Sequence, residues 1–317
     1  MTPAVTVFVP GLQAGGGWPA SWPGALTRML SPGDGPLAGE GWAPRLLQLF
    51  DLPADAGLAA LARLGERRAH DARWWARCDP VHLAPDGDRL LLADNETLTL
   101  DAAAAERLSA PVAALFQEEG GTLEVLAANR WYLTLPAPEP LSADAPTTLA
   151  GRDIHPHLPS GNTRYWRRRL NEAQMVLAPM ADVETEASGL AVNSVWFWGA
   201  GYAPAARSGP FAEVYSDDVV VGGAACTTGA RWEPLPAGPA DLGAHGDALI
   251  VLRGAQAPAQ YGDVTAWEGF LEAMVATWLG PLAQRLRRGD LRAVVVLGER
   301  GPTYRLRPAR RFRLWRS

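Results

Sequence analysis

Lysine is absent from this sequence of 317 residues, so all 29 lysine-or-arginine positions are arginine. Glycine and proline are plentiful, with 33 and 27 residues, and alanine is frequent. We interpret this combination as the coding bias of a GC-rich genome. The missing lysine therefore carries no functional information.

Cysteine and long apolar runs are also scarce. Only Cys78 and Cys226 occur, so the chain has neither a CxxC pair nor a disulfide framework, which fits a reducing cytoplasm. The first residues lack the charged and apolar regions of a secretory signal. No run approaches the roughly 20 apolar residues that a membrane span needs. We therefore expect a cytoplasmic protein with no membrane partner.

A basic surplus is missing as well. The formal net charge of -5 and the pI near 5.6 argue against a general nucleic-acid binder. The local exception is a group of C-terminal arginines: Arg305, Arg307, Arg310, Arg311, Arg313 and Arg316. Because residues 311–316 alternate, they predict an edge strand with a solvated charged face. A site for an anionic partner is the alternative.

The length and the ordinary composition predict a folded chain with two domains, or one large domain with an insert. The best-defined segment is Val192–Gly201, in which Trp196 and Trp198 alternate with Val195 and Phe197. Alternation places the two tryptophans on one face of a sheet. The segment ends in a Gly-Ala-Gly turn, so it predicts a core strand that leads into a ligand-facing loop.

The middle of the chain predicts a compact α+β unit. Residues 79–83 and 89–93 form one predicted hairpin, and residues 123–126 and 130–135 form a second. Between them, residues 101–118 predict an amphipathic helix with an aspartate as its N-cap. A proline-rich connection and an arginine-rich helix follow. We predict that this unit is an inserted domain.

The two ends of the chain predict a different architecture. Val5–Val9 is a first strand, residues 31–44 look like a surface excursion, and residues 45–68 predict two short helices. After residue 190 strands and helices alternate. The predicted strands there are Val219–Val221, Asp247–Arg253 and Leu291–Leu297, and the predicted long helix is Ala266–Leu286. This order predicts a mostly parallel sheet covered by helices.

Four motifs resemble a known family. They occur in order as Arg77-Cys78-Asp79-Pro80-Val81-His82, Asn129-Arg130-Trp131-Tyr132-Leu133, Leu158-Pro159-Ser160-Gly161 and Asn193-Ser194-Val195-Trp196-Phe197-Trp198-Gly199-Ala200-Gly201. The chain resembles the archaeal-type cofactor-independent phosphoglycerate mutases of the alkaline-phosphatase-like superfamily. Within this resemblance, it is similar to a bacterial branch of RpfE-type regulatory proteins.

The resemblance implies an alkaline-phosphatase-like core, with an α+β domain inserted into it. We place the core at residues 1–70 and 186–317 and the insert at residues 71–185. For the true mutases, the resemblance also implies two divalent metals held by Asp and His and a serine that carries the phosphoryl group. Such chemistry needs hard ligands for cations and an activated hydroxyl.

The sequence departs from this pattern at each ligand position. Pro10, before Gly11, stands where the first metal-binding aspartate is expected, and proline cannot ligate a metal. The late Asp- and His-rich segment, residues 253–263, keeps only Asp263, and the terminal Asp-His pair is replaced by Glu299-Arg300. Residues 32–96 contain no serine or threonine. The remaining candidates for the phosphorylated residue are Ser21, Thr27 and Ser31.

These departures predict a non-catalytic, phosphoglycerate mutase-like regulatory or ligand-binding protein with no metal and no cofactor. The alternative is an active phosphoglycerate mutase or phosphatase with a rearranged site. The expected partner is a small anionic ligand or a protein. The candidate cleft residues are Pro10, Gly11, Trp198, Gly199, Gly201, Asp263 and Glu299.

Four other groups have alternative interpretations. His155 and His157 flank a proline and are geometrically possible metal ligands, although a polar surface loop explains them better. Cys78 is a candidate nucleophile without an assignable partner. Carboxylates at residues 182–186 are solvated charges or acid/base groups. The glycine-rich residues 15–20 are a flexible loop or a phosphate cradle.

Overall fold

The protein is described from a computed structural model. The structure describes residues 2–13, 22–36, 41–188, 190–243 and 246–308. Among these residues, no helix is both long enough and apolar enough to cross a lipid bilayer.

Helices and strands are numbered in chain order. The strands are β1 (Ala4–Phe8), β2 (Leu30–Pro36), β3 (Trp75–Asp86), β4 (Arg89–Ala93), β5 (Thr122–Ala127), β6 (Arg130–Thr134), β7 (Leu141–Ser142), β8 (Ser160–Gly161), β9 (Ser194–Gly201), β10 (Glu213–Tyr215), β11 (Arg231–Glu233), β12 (Ala248–Val251), β13 (Ala293–Leu297) and β14 (Pro302–Leu306). The helices are α1 (Gly24–Met29), α2 (Trp42–Leu49), α3 (Leu58–Arg67), α4 (Ala102–Ala114), α5 (Pro146–Leu149), α6 (Thr163–Ser188), α7 (Val219–Thr228), α8 (Gln256–Tyr261), α9 (Val264–Met274) and α10 (Gly280–Arg288).

The chain forms two compact units, and the first consists of Met1–Ala54 with Ala206–Ser317. Its seven-stranded sheet has the order β11-β10-β12-β1-β13-β14-β2. Neighbouring strands from β11 to β13 are parallel, whereas β14 pairs antiparallel with both β13 and β2. The expected mixed α/β fold with a mostly parallel sheet and helices is confirmed in this coarse form.

The core of this unit lies between the sheet and the helices that pack on it. Val7 of β1 and Val296 of β13 are fully buried, in the same apolar cluster as Trp267 and Leu271 of α9. The spacing of Trp267 and Leu271 puts both on one face of α9. A π-helical turn, Val275–Leu279, joins α9 to α10 next to a proline that lacks the N–H of the regular ladder.

The second unit is Asp55–Ala205, and its main sheet has the order β4-β3-β6-β5 with β9 also paired to β3. The long strand β3 pairs antiparallel with β4, β6 and β9. Strand β9 contacts β3 from Trp75 to Val81. The sequence had placed β9 in the core sheet with the chain ends, and this is wrong, because its hydrogen-bonding partner is β3.

Aromatic side chains fill the interior of the second unit. Phe197 of β9 lies with its ring centroid 5.0 Å from that of Trp166 and 6.0 Å from that of Phe116. Trp196 is fully buried, and its indole N–H donates to the Asp144 carbonyl at 2.9 Å. The alternation that predicted a buried strand is therefore confirmed, although in the other sheet.

A close backbone approach explains why α3 also belongs to the second unit. Gly57 donates its N–H to the Tyr202 carbonyl at 3.0 Å. A β-carbon at Gly57 would lie 2.4 Å from the Gly201 carbonyl carbon, so both positions require glycine. The predicted bounds, residues 71–185, leave α3 and β9 outside this unit, and the structure corrects both assignments.

Local patterns predicted most of the helices and hairpins correctly. The β3–β4 and β5–β6 hairpins are present, and Asp101 caps α4 by accepting the Ala104 N–H at 2.7 Å. Two of these local predictions were wrong. Val219–Val221 is the first turn of α7, and the surface excursion at residues 31–44 contains most of β2. Strand β2 lies at the sheet edge, where proline and glycine are tolerated.

Some predictions lie outside the described residues. They are the glycine-rich residues 15–20, the candidate Ser21, the C-terminal strand at residues 311–316 and the acidic side chains of residues 182–186. The described candidates Thr27 and Ser31 lie in α1 and β2, and both hydroxyls contact backbone carbonyls.

Candidate functional site

The candidate site lies at the carboxyl ends of the parallel strands in the first unit, the usual ligand edge of such sheets. The chain after β1 turns at Gly11, whose φ of +82° favours glycine. Its N–H donates to Oε2 of Glu299 at 2.7 Å, and its carbonyl accepts the Trp267 indole N–H at 2.7 Å. These two bonds connect the loop after β1 with the loop after β13 and with α9.

Glu299 is a partly buried carboxylate in the turn between β13 and β14. Burial raises its pKa, and the Gly11 N–H and the charges of Arg300 and Arg45 oppose that rise without cancelling it. The Glu299 carbonyl also accepts the Gly41 N–H at 3.0 Å. The carboxylate and the carbonyl oxygen of Glu299 therefore each accept a backbone N–H from another part of the chain.

We expect Glu299→Gln to raise the free energy of unfolding near neutral pH. A raised folded-state pKa means that Glu299 favours folding below its unfolded pKa and loses that contribution as pH rises through the folded value. Glutamine removes the charge and keeps an acceptor for Gly11. The gain in Tm should therefore shrink as pH falls toward the ordinary glutamate pKa of about 4.3. Thermal unfolding at several pH values measures this.

The control variant is Glu268→Gln, which removes the same charge from an exposed position on α9. It should show no comparable gain near neutral pH. Equal Tm differences for Glu299→Gln across the pH range would contradict the assignment of a destabilising buried charge.

A second polar group lies at the same edge, after β12 and β10. Arg253 contacts Asp218 with Nη1 and Oδ2 3.2 Å apart, and its Nε donates to Oε1 of Gln256 at 3.2 Å. Gln256 adjoins Gly11, because a β-carbon at Gly11 would lie 2.9 Å from the Gln256 Cα. The two polar groups are therefore neighbours along the sheet edge.

Sequence reasoning did not single out Asp218 or Arg253. Asp218 directly precedes three valines that predict a strand, so its role as the N-cap of α7 was hidden. Arg253 was identified only as the start of a segment that lacks metal ligands. The sequence did contain a signal for this N-cap. An aspartate before an apolar run that ends in glycine is also typical of a capped helix.

The structure brings together only part of the predicted cleft. Pro10 is buried beside Gly11, and Gly11 contacts Glu299. Asp263 uses its carboxylate as the N-cap of α9, accepting the Ala266 N–H at 2.9 Å. Trp198, Gly199 and Gly201 belong to β9 in the second unit.

In that second unit, Trp198 takes part in a buried polar network. Its indole N–H donates to Asp79 Oδ2 at 2.7 Å, and Arg77 Nη2 donates to Asp79 Oδ1 at 2.6 Å. The Trp131 N–H contacts the same carboxylate at 3.4 Å. Arg77 also lies over the Tyr132 ring at 4.9 Å. Because the network is enclosed, it organises the sheet and offers no open site.

The other sequence candidates have structural roles. Burial raises the pKa of the Cys78 thiol well above its ordinary value, which disfavours a nucleophilic thiolate. His82 Nδ1 contacts the Ala191 carbonyl at 2.7 Å. His155 contacts Asp153 at 2.8 Å, whereas His157 contacts Asp144 at 3.5 Å. The two histidines that flank Pro156 thus have different carboxylate partners.

The residues at the sheet edge do not fit the two divalent metals of the mutases. Within the described ranges, no group of three or more His, Cys, Asp or Glu side chains is placed to hold a metal ion. The strand ends instead carry Pro10, the cation Arg253 and a glutamate that accepts a backbone N–H. A permanent cation and a proline are unsuitable as ligands for Mn²⁺ or Zn²⁺.

No protein-family model and no curated protein matches the sequence. The fold is similar to that of the PH0037 protein from Pyrococcus horikoshii, with a TM-score of 0.53 and 10% identity, covering 96% of this chain and 87% of that one. A cofactor-independent phosphoglycerate mutase from Thermoplasma acidophilum DSM 1728 aligns with a TM-score of 0.39 and 14% identity over 96% and 89% of the chains. The second score is too low to support a conclusion. At such identities, the likeness to PH0037 concerns the fold alone.

Proposed function

We propose that this protein is a non-catalytic, phosphoglycerate mutase-like ligand-binding protein with a regulatory role, of the RpfE type suggested by its motifs. The observation that carries the proposal is the hydrogen bond from Gly11 to Glu299 at 2.7 Å. It engages Glu299, which with Asp263 is one of two carboxylates that remain at the positions where the resemblance implies metal ligands. We place its action in the bacterial cytoplasm.

The electrostatics of phosphoryl transfer support this proposal. Metal-dependent transfer of this type uses cations to neutralise charge on the phosphoryl oxygens and to activate the nucleophile. Arg253 supplies a cation but cannot activate a hydroxyl as a metal does. An edge with a paired guanidinium and a bonded carboxylate is better suited to holding an anionic ligand than to turning it over.

The alternative is an active mutase or phosphatase with a rearranged site. The raised pKa of Glu299 favours this alternative, because a carboxyl that titrates closer to neutral pH can act as an acid or base. Asp263 is the other carboxylate that the alternative invokes. It already caps α9, so its use as a ligand would cost that helix its cap.

Metal content and turnover distinguish the two functions. We expect no stoichiometric Mn or Zn in the purified protein, no hydrolysis of a generic phosphate ester and no interconversion of phosphoglycerates after Mn²⁺ or Zn²⁺ is added. Elemental analysis and a coupled assay measure these quantities. Stoichiometric metal together with turnover that Glu299→Gln or Asp263→Asn abolishes would overturn the non-catalytic proposal. Glu268→Gln is the control for loss of one carboxylate.

A further inference from the structure

The guanidinium of Arg253 is paired and partly exposed at the carboxyl edge of the parallel strands. Its side chain is 28% exposed, whereas that of its partner Asp218 is only 8% exposed. Its Nε is held by Gln256. An incoming anion can therefore reach the cation more easily than a competing cation can reach the carboxylate.

The two carboxylate oxygens of Asp218 have separate contacts. Oδ1 accepts the N–H groups of Val220 at 2.8 Å and Val221 at 3.3 Å, which caps α7. Oδ2 lies 3.2 Å from Arg253 Nη1. Because the cap uses Oδ1, the contact between Oδ2 and Arg253 can be exchanged without unwinding the first turn of α7.

Close packing fixes the backbone that carries Arg253. A β-carbon at Gly254 would lie 2.3 Å from the Phe270 ring, so α9 packs directly on this loop. A β-carbon at Gly11 would lie 2.5 Å from the Ala255 carbonyl oxygen on the loop's next residue. The side chain of Arg253 can therefore change partner while its backbone stays in place.

We propose that Arg253 binds a small oxyanion, the phosphate or carboxylate group of a metabolite, in exchange for Asp218. The guanidinium is permanently charged, and its planar fork matches both kinds of oxyanion. It supplies positive charge at an edge whose residues do not fit two divalent cations. The inference rests on the proposed ligand-binding function and gives that function a ligand class.

The test is isothermal titration calorimetry at low salt with EDTA present, using inorganic phosphate, glycerate and 3-phosphoglycerate. Asp218→Asn should bind at least tenfold more tightly than the wild type, because it removes the competing charge and keeps an oxygen for the cap. Arg253→Gln should bind about tenfold or more weakly, as expected for loss of a charge-assisted hydrogen bond. Phosphate and glycerate, titrated separately, identify which group is bound.

Arg231→Gln is the matched control, because Arg231 is a 66% exposed arginine paired with Glu233. It should bind as the wild type does. If Arg253→Gln fails to fold, Arg253→Lys keeps the charge without the fork and should still bind more weakly. Absence of binding by both the wild type and Asp218→Asn, wild-type binding by Arg253→Gln, or no gain for Asp218→Asn would overturn the inference. EDTA separates this outcome from metal-dependent turnover, which tests the proposed function.

Discussion

Arg77→Met should lower the free energy of unfolding by about 3–5 kcal/mol, the cost of breaking a buried ion pair by removing one partner. Arg77 and Asp79 have side chains that are 3% and 0% exposed. Methionine fills a similar volume, but among the described residues it leaves Asp79 only the Trp198 indole and the Trp131 backbone as donors. Urea titration followed by near-UV circular dichroism measures the loss.

The same variant should show a defined pH dependence. Burial raises the pKa of Asp79, and Arg77 opposes that rise. Without Arg77 the pKa of Asp79 in the folded state rises further, so the folded protein favours the uncharged form of Asp79. The contribution of Asp79 to stability is then lost as pH increases through that value. The loss caused by Arg77→Met should therefore grow from acidic to neutral pH.

Two further variants test the cause. Arg77→Met combined with Asp79→Asn removes both charges and keeps an acceptor for Trp198, so it should recover part of the lost stability. Arg89→Ala breaks the exposed ion pair with Asp86, whose cost should stay within about 1 kcal/mol. If Arg77→Met cost no more than Arg89→Ala, the buried pair would not organise the second unit as described.

Gly11→Ala should destabilise the first unit by about 2–5 kcal/mol, from left-handed strain and overpacking together. The φ of +82° disfavours a side chain, and the new β-carbon would lie 2.5 Å from the Ala255 carbonyl oxygen. The Ala255 atom belongs to the backbone, so relief requires the chain itself to move. That movement would also displace the N–H that Glu299 accepts.

Gly229→Ala is a matched control, because its φ of +73° is similar and no atom lies within 4 Å of a β-carbon there. This variant should lower the free energy of unfolding only by the strain of the left-handed backbone, about 1 kcal/mol. The difference between the two variants isolates the close contact of Gly11 with Ala255. Equal losses in thermal unfolding would show that this contact does not constrain the loop.

The sequence predicted those elements whose signals are local. Asp101 precedes an apolar periodic segment, and the capped helix α4 is present because the cap bonds within one turn. The hairpins follow from alternation and short turns. Val219–Val221 was predicted as a strand from β-branched residues, but the cap by Asp218 and burial override that preference.

Strand pairing and the charged part of the site could not be predicted in the same way. The alternation of β9 does not indicate whether the strand pairs with β3 or with the core sheet. Both faces of β9 would be buried in either position. The contact between Arg253 and Asp218 joins two strand ends that are adjacent only after β10 and β12 pair. Glu299 was recognised because the resemblance supplied its position, whereas its bond to Gly11 required the fold.

The sheet of the first unit also has a consequence for protein synthesis. Ala4 bonds to Asp247, which is 243 residues away, and Gly11 bonds to Glu299, which is 288 residues away. Strand β1 therefore leaves the ribosome long before its parallel partners exist, while Asp55–Ala205 is continuous and can complete its own sheet. Until β12 and β13 are synthesised, the apolar residues of β1 lack the two strands with which they pair in the folded sheet. Chaperone binding to this segment of the nascent chain would therefore protect residues that have no partner yet.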